Sequence, residues 1–239
     1  MIRAEEVVGT ILATLERDPR VNLHGRPIDL SFADGVVTVS GEVDGIAAKK
    51  IILELAAAPA PVSGIVDRLR VEPSETMEDG AIRDHVCNAL LSEPAFDSYS
   101  IQAVVKQAIE TVRSVDPARV LEVDVFDGVV TLNGTVESIS HKRLAGVLAW
   151  WVPGSKDVVN GMELSPPMED NDDEVVDAVR LILEKDPMVN ASQIRVRSNN
   201  WVVTLDGAVS SPSSKRAAEA DAWYTFGVNS VVNNLVVTG

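Results

Sequence analysis

The sequence predicts an α+β fold built from three small αββαβ units in tandem, and three observations predict it. An octapeptide recurs: DGVVTVSG at 34–41, DGVVTLNG at 127–134 and, more loosely, NWVVTLDG at 200–207. Eight and nine residues beyond its final glycine stands a basic pair, Lys49-Lys50, Lys142-Arg143 or Lys215-Arg216. An Ala-rich stretch follows each pair and runs into a glycine-centred turn at Gly64, Gly154 or Gly227, with an alternating apolar segment after it.

Taken in order, each unit opens on a helix. In EEVVGTILATLERDP, Val7, Val8, Ile11, Leu12 and Leu15 fall at helical spacing; in DDEVVDAVRLILEKDP, Val175, Val176, Val179, Ile182 and Leu183 do the same. Both end at Asp-Pro, where the residue before proline is pushed out of the α region. AIRDHVCNALLSEP opens the middle unit. The octapeptide then reads as a hairpin. Asp-Gly suits a tight turn, because Gly35 and Gly128 accept positive φ without steric cost, and Val-Val-Thr continues as a β-branched strand. Trp201 replaces that glycine in the third copy. The closing glycines, Gly41, Gly134 and Gly207, mark a bulge or a close backbone approach. The basic pair begins a second helix, and the segment after the turn glycine is the closing strand.

The spacing is uneven. Gly41 and Gly134 lie 93 residues apart, Gly134 and Gly207 only 73. The excess falls in EPAFDSYSIQAVVKQAIETVRSVDP, where Ile101, Val104, Val105, Ala108, Ile109 and Val112 predict an extra amphipathic helix, an insertion at about 95–115. The expected domains are 1–72, 80–165 and 173–239, joined by acidic linkers at 72–80 and 165–174.

A net charge of −15 over 239 residues disfavours nucleic-acid binding, since phosphate backbones demand a positive footprint. One cysteine, Cys87, excludes an intrachain disulfide framework and a multi-cysteine zinc site. Glu5 and Glu6 stand where a signal peptide needs an apolar run. The longest apolar stretch, LAGVLAWWVP, is about half the ~20 residues of a membrane span. A cytoplasmic protein, at most peripheral at a membrane, is expected.

The combination DPMVNASQIRVRSNNWVVTLDGAV, KRAAEADAW and FGVNSVVNNLVV resembles a BON domain, the bacterial module named for an osmotically induced protein and nodulation proteins. DGVVTVSGEV in the first copy, and DGVVTLNGTV with VPGSKDVVNGMEL in the second, resemble it too, so that three copies cover nearly the whole chain. The resemblance implies the αββαβ fold, association with phospholipid or the cell envelope, often in stress physiology, and no catalytic residues. Some members are linked to potassium. The chain departs from the family at Trp201, at the insertion and in lacking a visible export signal.

No catalytic constellation stands out. His24, His85 and His141 lie apart, and no P-loop, HExxH or nucleophile elbow is present. MEDNDDE lacks the central Gly and terminal Glu of an EF-hand loop and reads as a solvated linker. Neither a metal nor a cofactor is expected.

The basic pairs are the candidate ligand sites: Lys49, Lys50, Lys142, Arg143, Lys215 and Arg216. Cations in the first turns of a helix oppose its dipole, so something should compensate them. An anion such as a phosphate head group is one answer, and neighbouring carboxylates are the other. Trp150-Trp151 and Trp223-Tyr224 sit at equivalent places, and Trp150 and Trp223 share a helical stripe with Arg143 and Arg216. Successive helical residues diverge by about 100°, so both rings of a pair cannot enter one small core. A lipid interface uses such pairings, and packing between neighbouring repeats, the favoured reading, uses them too. Two functions are therefore expected: a non-catalytic stress or envelope module binding anionic phospholipid, or a cytoplasmic scaffold binding an ion or another protein.

Overall fold

The computed structural model describes residues 3–238. The chain divides into two units, Met1–Glu72 and Pro73–Gly239.

In the first unit, Val7, Ile11 and Leu15 stand four residues apart and turn one stripe of helix α1 (Ala4–Leu15) inward. Strands β1 (Ile28–Ala33) and β2 (Val36–Val43) pair antiparallel with Ile28 opposite Gly41. Helix α2 (Ile46–Ala57) crosses over to β3 (Gly64–Val71), which lies parallel to β2 in the order β1-β2-β3. A parallel neighbour requires such a crossover. Val37, Val39 and Leu69 meet Ile51, Ile52 and Ala56 in the core. Gly64, read as a turn glycine, is instead the first residue of β3.

The second unit begins with α3 (Asp79–Ser92), which buries Ile82, Val86 and Leu90. The extra helix expected at about 95–115 is absent. A short 3-10 turn at Pro94–Phe96 leads to strands β4 (Ser100–Val105) and β5 (Ala108–Arg113), an antiparallel hairpin turned by Lys106 and Gln107 at φ 49° and 67°. A helical stripe would have buried Ile101, Ile109 and Val112 together. Ile101 and Ala103, two apart, are buried instead, while Ile109 and Val112 face solvent. The run is rich in β-branched residues and its apolar spacing fits both periods, but Lys-Gln carries no turn signature. Arg113 ties the hairpin down, donating to the carbonyls of Tyr99 and Phe96.

The middle repeat then continues with β6 (Val120–Phe126), β7 (Val129–Val136), α4 (Ile139–Trp150), β8 (Asp157–Asn160) and β9 (Glu163–Leu164). Its sheet runs β5-β4-β6-β7-β8, with β9 also on β7. The third repeat has α5 (Asp172–Lys185), β10 (Ile194–Asn199), β11 (Val202–Val209), α6 (Pro212–Tyr224) and β12 (Ser230–Val237), in the sheet order β10-β11-β12. Asn171 caps α5, accepting from the amides of Asp173 and Glu174. Helices α4, α5 and α6 pack together, and Ile182 of α5 lies within the middle repeat's core, so the second and third repeats share one interior.

One clamp recurs. The Asp79 carboxylate, in the first turn of α3, accepts the amides of Asp127 and Gly128 at 2.9 and 2.8 Å. Asp172 of α5 does the same for Asn200 and Trp201 at 2.8 and 3.0 Å, and Ser198 donates to it as well. Those bonds hold Trp201 at φ 64°, where glycine stands in the other copies. The Ser198 hydroxyl, then the turn amides, keep the Asp172 carboxyl below its ordinary pKa.

The closing glycines sit inside β2, β7 and β11 at positive φ. At Gly134 (φ 119°) an added Cβ would lie 1.9 Å from the Val120 carbonyl oxygen, and at Gly207 it would lie 2.0 Å from that of Gln193. Backbone crossing, not turn formation, demands these glycines. Gly134→Ala is therefore expected to destabilise the second unit by about 1–3 kcal/mol or more, read as a lowered denaturant midpoint. An unchanged midpoint would mean that β6 and β7 separate at no cost.

Candidate functional site

The three basic pairs differ in exposure: Lys49 and Arg143 are buried, Lys50, Lys142 and Lys215 half-buried, and Arg216 exposed. Lys49 is 4% exposed; its Nζ donates to the Leu69 carbonyl at 2.9 Å and meets Asp67 Oδ2 at 2.9 Å. Lys215 repeats the first contact, Nζ to the Leu235 carbonyl at 2.6 Å. Leu69 and Leu235 are equivalent, each lying opposite a closing glycine on the parallel strand. The cation that opposes the helix dipole is thus compensated by a strand carbonyl, and in the first copy by a carboxylate too. In the middle copy the ladder breaks between β8 and β9, and Lys142 points elsewhere, its Nζ 5.4 Å from the centre of the Phe226 ring. Asn160 and Asn233, from equivalent strand positions, donate to the main-chain carbonyls of Lys142 and Lys215 and fasten helix to sheet. Of the second members, Lys50 is half-buried and Arg216 donates to Ser213 Oγ at 3.2 Å.

Arg143 is different. Its side chain is fully buried where the second and third repeats meet. Nε donates to the Phe226 carbonyl at 2.8 Å, and Nη2 reaches both oxygens of Asp170 at 2.9 and 3.0 Å. Gly227 (φ 85°) makes room, since a Cβ there would lie 2.9 Å from Nη2. Burial lowers the Arg143 pKa from its ordinary value, and Asp170 and Glu174 oppose that shift. Asp170 belongs to the stretch read as a linker at 165–174, which is thereby pinned to α4.

The aromatic pairs meet at the same junction. Trp150 stacks on Tyr224, ring centres 5.4 Å apart and planes at 17°, an arrangement adding about 0.5–1.5 kcal/mol beyond area burial. Trp151 donates Nε1 to Asp221 Oδ1 at 2.9 Å, and Trp223 is buried. Packing between repeats, the reading favoured for these residues, describes what they do. Gly154, the middle copy's turn glycine, lets its chain approach Met77 and Ile82.

Asp221 is the residue that sequence reasoning missed. It is 2% exposed, and its Oδ2 meets no hydrogen-bond donor. Burial pushes its carboxyl up to about 8; the Trp151 indole opposes this and nearby Asp186 adds to it. Protonation removes the charge that this burial penalises. The signal was available, because the aligned positions carry Leu55 and Leu148. An acid at a position apolar in two copies of three marks an altered environment.

Ser138, His141 and Cys87, whose side chains have chemistry that enzymes use, are held in packing and capping contacts. Ser138 Oγ and His141 Nδ1 are 2.7 Å apart, yet Ser138 caps α4 and the His141 ring packs against Phe96 and Tyr99. Cys87 is buried, which pushes its thiol up to about 11, far from a reactive thiolate. Among the described residues, no three His, Cys, Asp or Glu side chains are grouped to hold a metal ion. Among the described residues, no helix is long and apolar enough to cross a membrane.

Comparison with known proteins accords with the repeats. A family model for the BON domain matches residues 4–73, 100–166 and 171–239, which bears out the resemblance and its three copies. No curated protein matches the chain. Among solved structures, the C-terminal domain of CdsD, a structural protein of the type III secretion system of Chlamydia trachomatis, is 15% identical at a TM-score of 0.26, each chain being covered completely. A second CdsD structure has the same identity and TM-score, over 98% of this chain and 92% of that one.

Two outcomes are expected at the junction. Asp170→Ala strands a fully buried guanidinium and should cost about 3–5 kcal/mol in the second unit, whereas Arg143→Met should cost less, because the carboxylate it frees is partly solvated. Chemical denaturation of both variants checks that order. A folded carboxyl near 8, far above about 3.9 in the unfolded chain, means that the folded state holds the extra proton between those values. The contribution of Asp221 is full below pH ~4 and is lost as the pH rises through about 8. Asp221→Asn should flatten that decline when stability is measured across the range; an unaltered profile would assign it to other groups.

Proposed function

This chain belongs to the BON-domain family, and we propose that it is a non-catalytic scaffold that binds other proteins. The observation carrying this reading is the orientation of the basic pairs. A head-group site needs several cations converging on one accessible face, each contributing about 1 kcal/mol near an anionic leaflet. Lys49 and Lys215 reach strand carbonyls, Lys142 lies over Phe226, Arg143 is fully buried against Asp170, and of the six cations only Arg216 is exposed. The acidic surface, at −15 overall, adds long-range repulsion from such a leaflet.

One observation favours the phospholipid contact that the family resemblance implies. Phe126, at the end of β6 beside the hairpin turn, is 79% exposed, and an aromatic at a loop tip suits a membrane interface. Acidic Asp124 and Asp127 flank it.

Sedimentation with vesicles rich in phosphatidylglycerol, at low salt, separates the two readings. The chain is expected to stay in the supernatant. Co-sedimentation that fades as salt rises, and is lost in Phe126→Ser, would replace the protein-binding reading with the lipid one.

A further inference from the structure

The middle repeat holds a strand that the other two lack. Leu121 of β6 lies opposite Gly134 as Ile194 of β10 lies opposite Gly207, so β6 and β10 are equivalent strands. On β6, the inserted β4 runs parallel, from Ser100 opposite Val120 to Ala103 opposite Val123, and sends Ile101 and Ala103 into the core beneath α3. Leu121 is buried as a result. On β10 nothing takes that place: the strand ends the sheet order β10-β11-β12, and Ile194 is only half-buried. Where Ile101 and Ala103 would enter there is a groove of about 190 Å³, between α5 and β10, lined by Arg180, Leu183, Glu184, Ala191, Ile194 and Val196.

Charge changes with occupancy. The outward positions of β6, beside its resident strand, carry Glu122 and Asp124; the matching positions of β10 carry Arg195 and Arg197. Arg197 is ion-paired to Asp206 yet remains 63% exposed, and Arg180 stands at the groove lip. These arginines lie on an otherwise acidic chain. They also disfavour a second copy as the occupant. In a two-fold antiparallel pairing of β10 with itself centred on 195–197, residues of one face oppose each other, which sets arginine against arginine.

We propose that the β10 edge takes an extended segment of a partner protein as an added parallel strand, its small or β-branched apolar side chains entering the groove and its carboxylates facing Arg195 and Arg197. Main-chain hydrogen bonds supply affinity in such strand addition, and alternate side chains supply selectivity. The inference rests on the protein-binding reading and names the site and chemistry of the partner.

The probe is a labelled octapeptide of residues 98–105 carrying Gln102→Glu and Val104→Glu, titrated against the full chain and followed by fluorescence anisotropy and amide hydrogen exchange. A second peptide carries Gln102→Lys and Val104→Lys. Expected are saturable binding of the acidic peptide, new exchange protection at 194–199, and binding weaker by about tenfold or more for the basic peptide. The Arg195→Glu/Arg197→Glu chain should reverse that preference. Because this variant sets a glutamate beside Asp206, circular dichroism accompanies it, and the two-peptide comparison on the unaltered chain decides the matter if the variant unfolds. Absence of saturable binding, equal affinity for the two peptides, or protection elsewhere overturns the proposal. So does a dimer, seen by sedimentation velocity and lost in the charge-reversed chain, since it would give the edge to a second copy. None of these outcomes bears on the vesicle result, by which the scaffold reading itself is judged.

Discussion

Desolvation of the Arg143 guanidinium is the constraint on which the arrangement of residues 73–238 depends. A fully buried cation is tolerated only with close compensation, and this one has two partners, the Asp170 carboxylate and the Phe226 carbonyl, with room made at Gly227, while Nη1 meets no acceptor. These contacts hold the inter-repeat segment and the turn after α6 against α4. The Trp150–Tyr224 stack and the Trp151–Asp221 hydrogen bond follow from the proximity so created. Met1–Glu72 has Lys50 at the aligned position. A lysine cannot reproduce the guanidinium's fork of donors.

Much of this fold was legible because repetition reinforces weak signals. A single Asp-Gly followed by β-branched residues is a modest hairpin indication; three in register with a basic pair and a turn glycine fix the order of elements. The helical stripes of α1 and α5 were legible for the same reason, apolar positions and Asp-Pro endings agreeing twice. The β4–β5 hairpin was not, because it occurs once and its turn uses Lys106 and Gln107, which enter positive φ without the Gly or Asn that usually announces it. Repetition extends to contacts as well: Lys49 and Lys215 each donate to the equivalent strand carbonyl. Asp221 shows the converse: the informative position is the one at which the copies differ.

The two structural uses of the repeated lysine explain why charge count alone is a poor guide to partners. Lys49 and Lys215 cross from helix to closing strand where that strand is continuous, over β3 and β12. Between β8 and β9 the strand is interrupted, Gly161 donates to the Leu132 carbonyl, and Lys142 turns to the Phe226 ring. A local break in one ladder thus converts an intra-repeat tie into a contact between repeats.

The inserted hairpin does not remove a sheet edge from the middle repeat; it moves it outward. Strand β4 covers β6 and fills the groove beneath α3, and β5 becomes the new edge. The edges at β5 and β10 then differ in kind. Strand β5 presents Ile109, Glu110 and Val112 to solvent, and its residues are exposed along nearly their whole length. Nothing backs it, so an added strand there would gain main-chain hydrogen bonds without burying a side chain in a preformed site. Strand β10 keeps the helix behind it and the groove between, with buried Val196 and half-buried Ile194 as its floor. Affinity from backbone pairing is available to any extended chain at either edge, but discrimination among chains requires pockets and charges, and these are found together at β10. The middle repeat's own strand occupies the site that the third repeat leaves open.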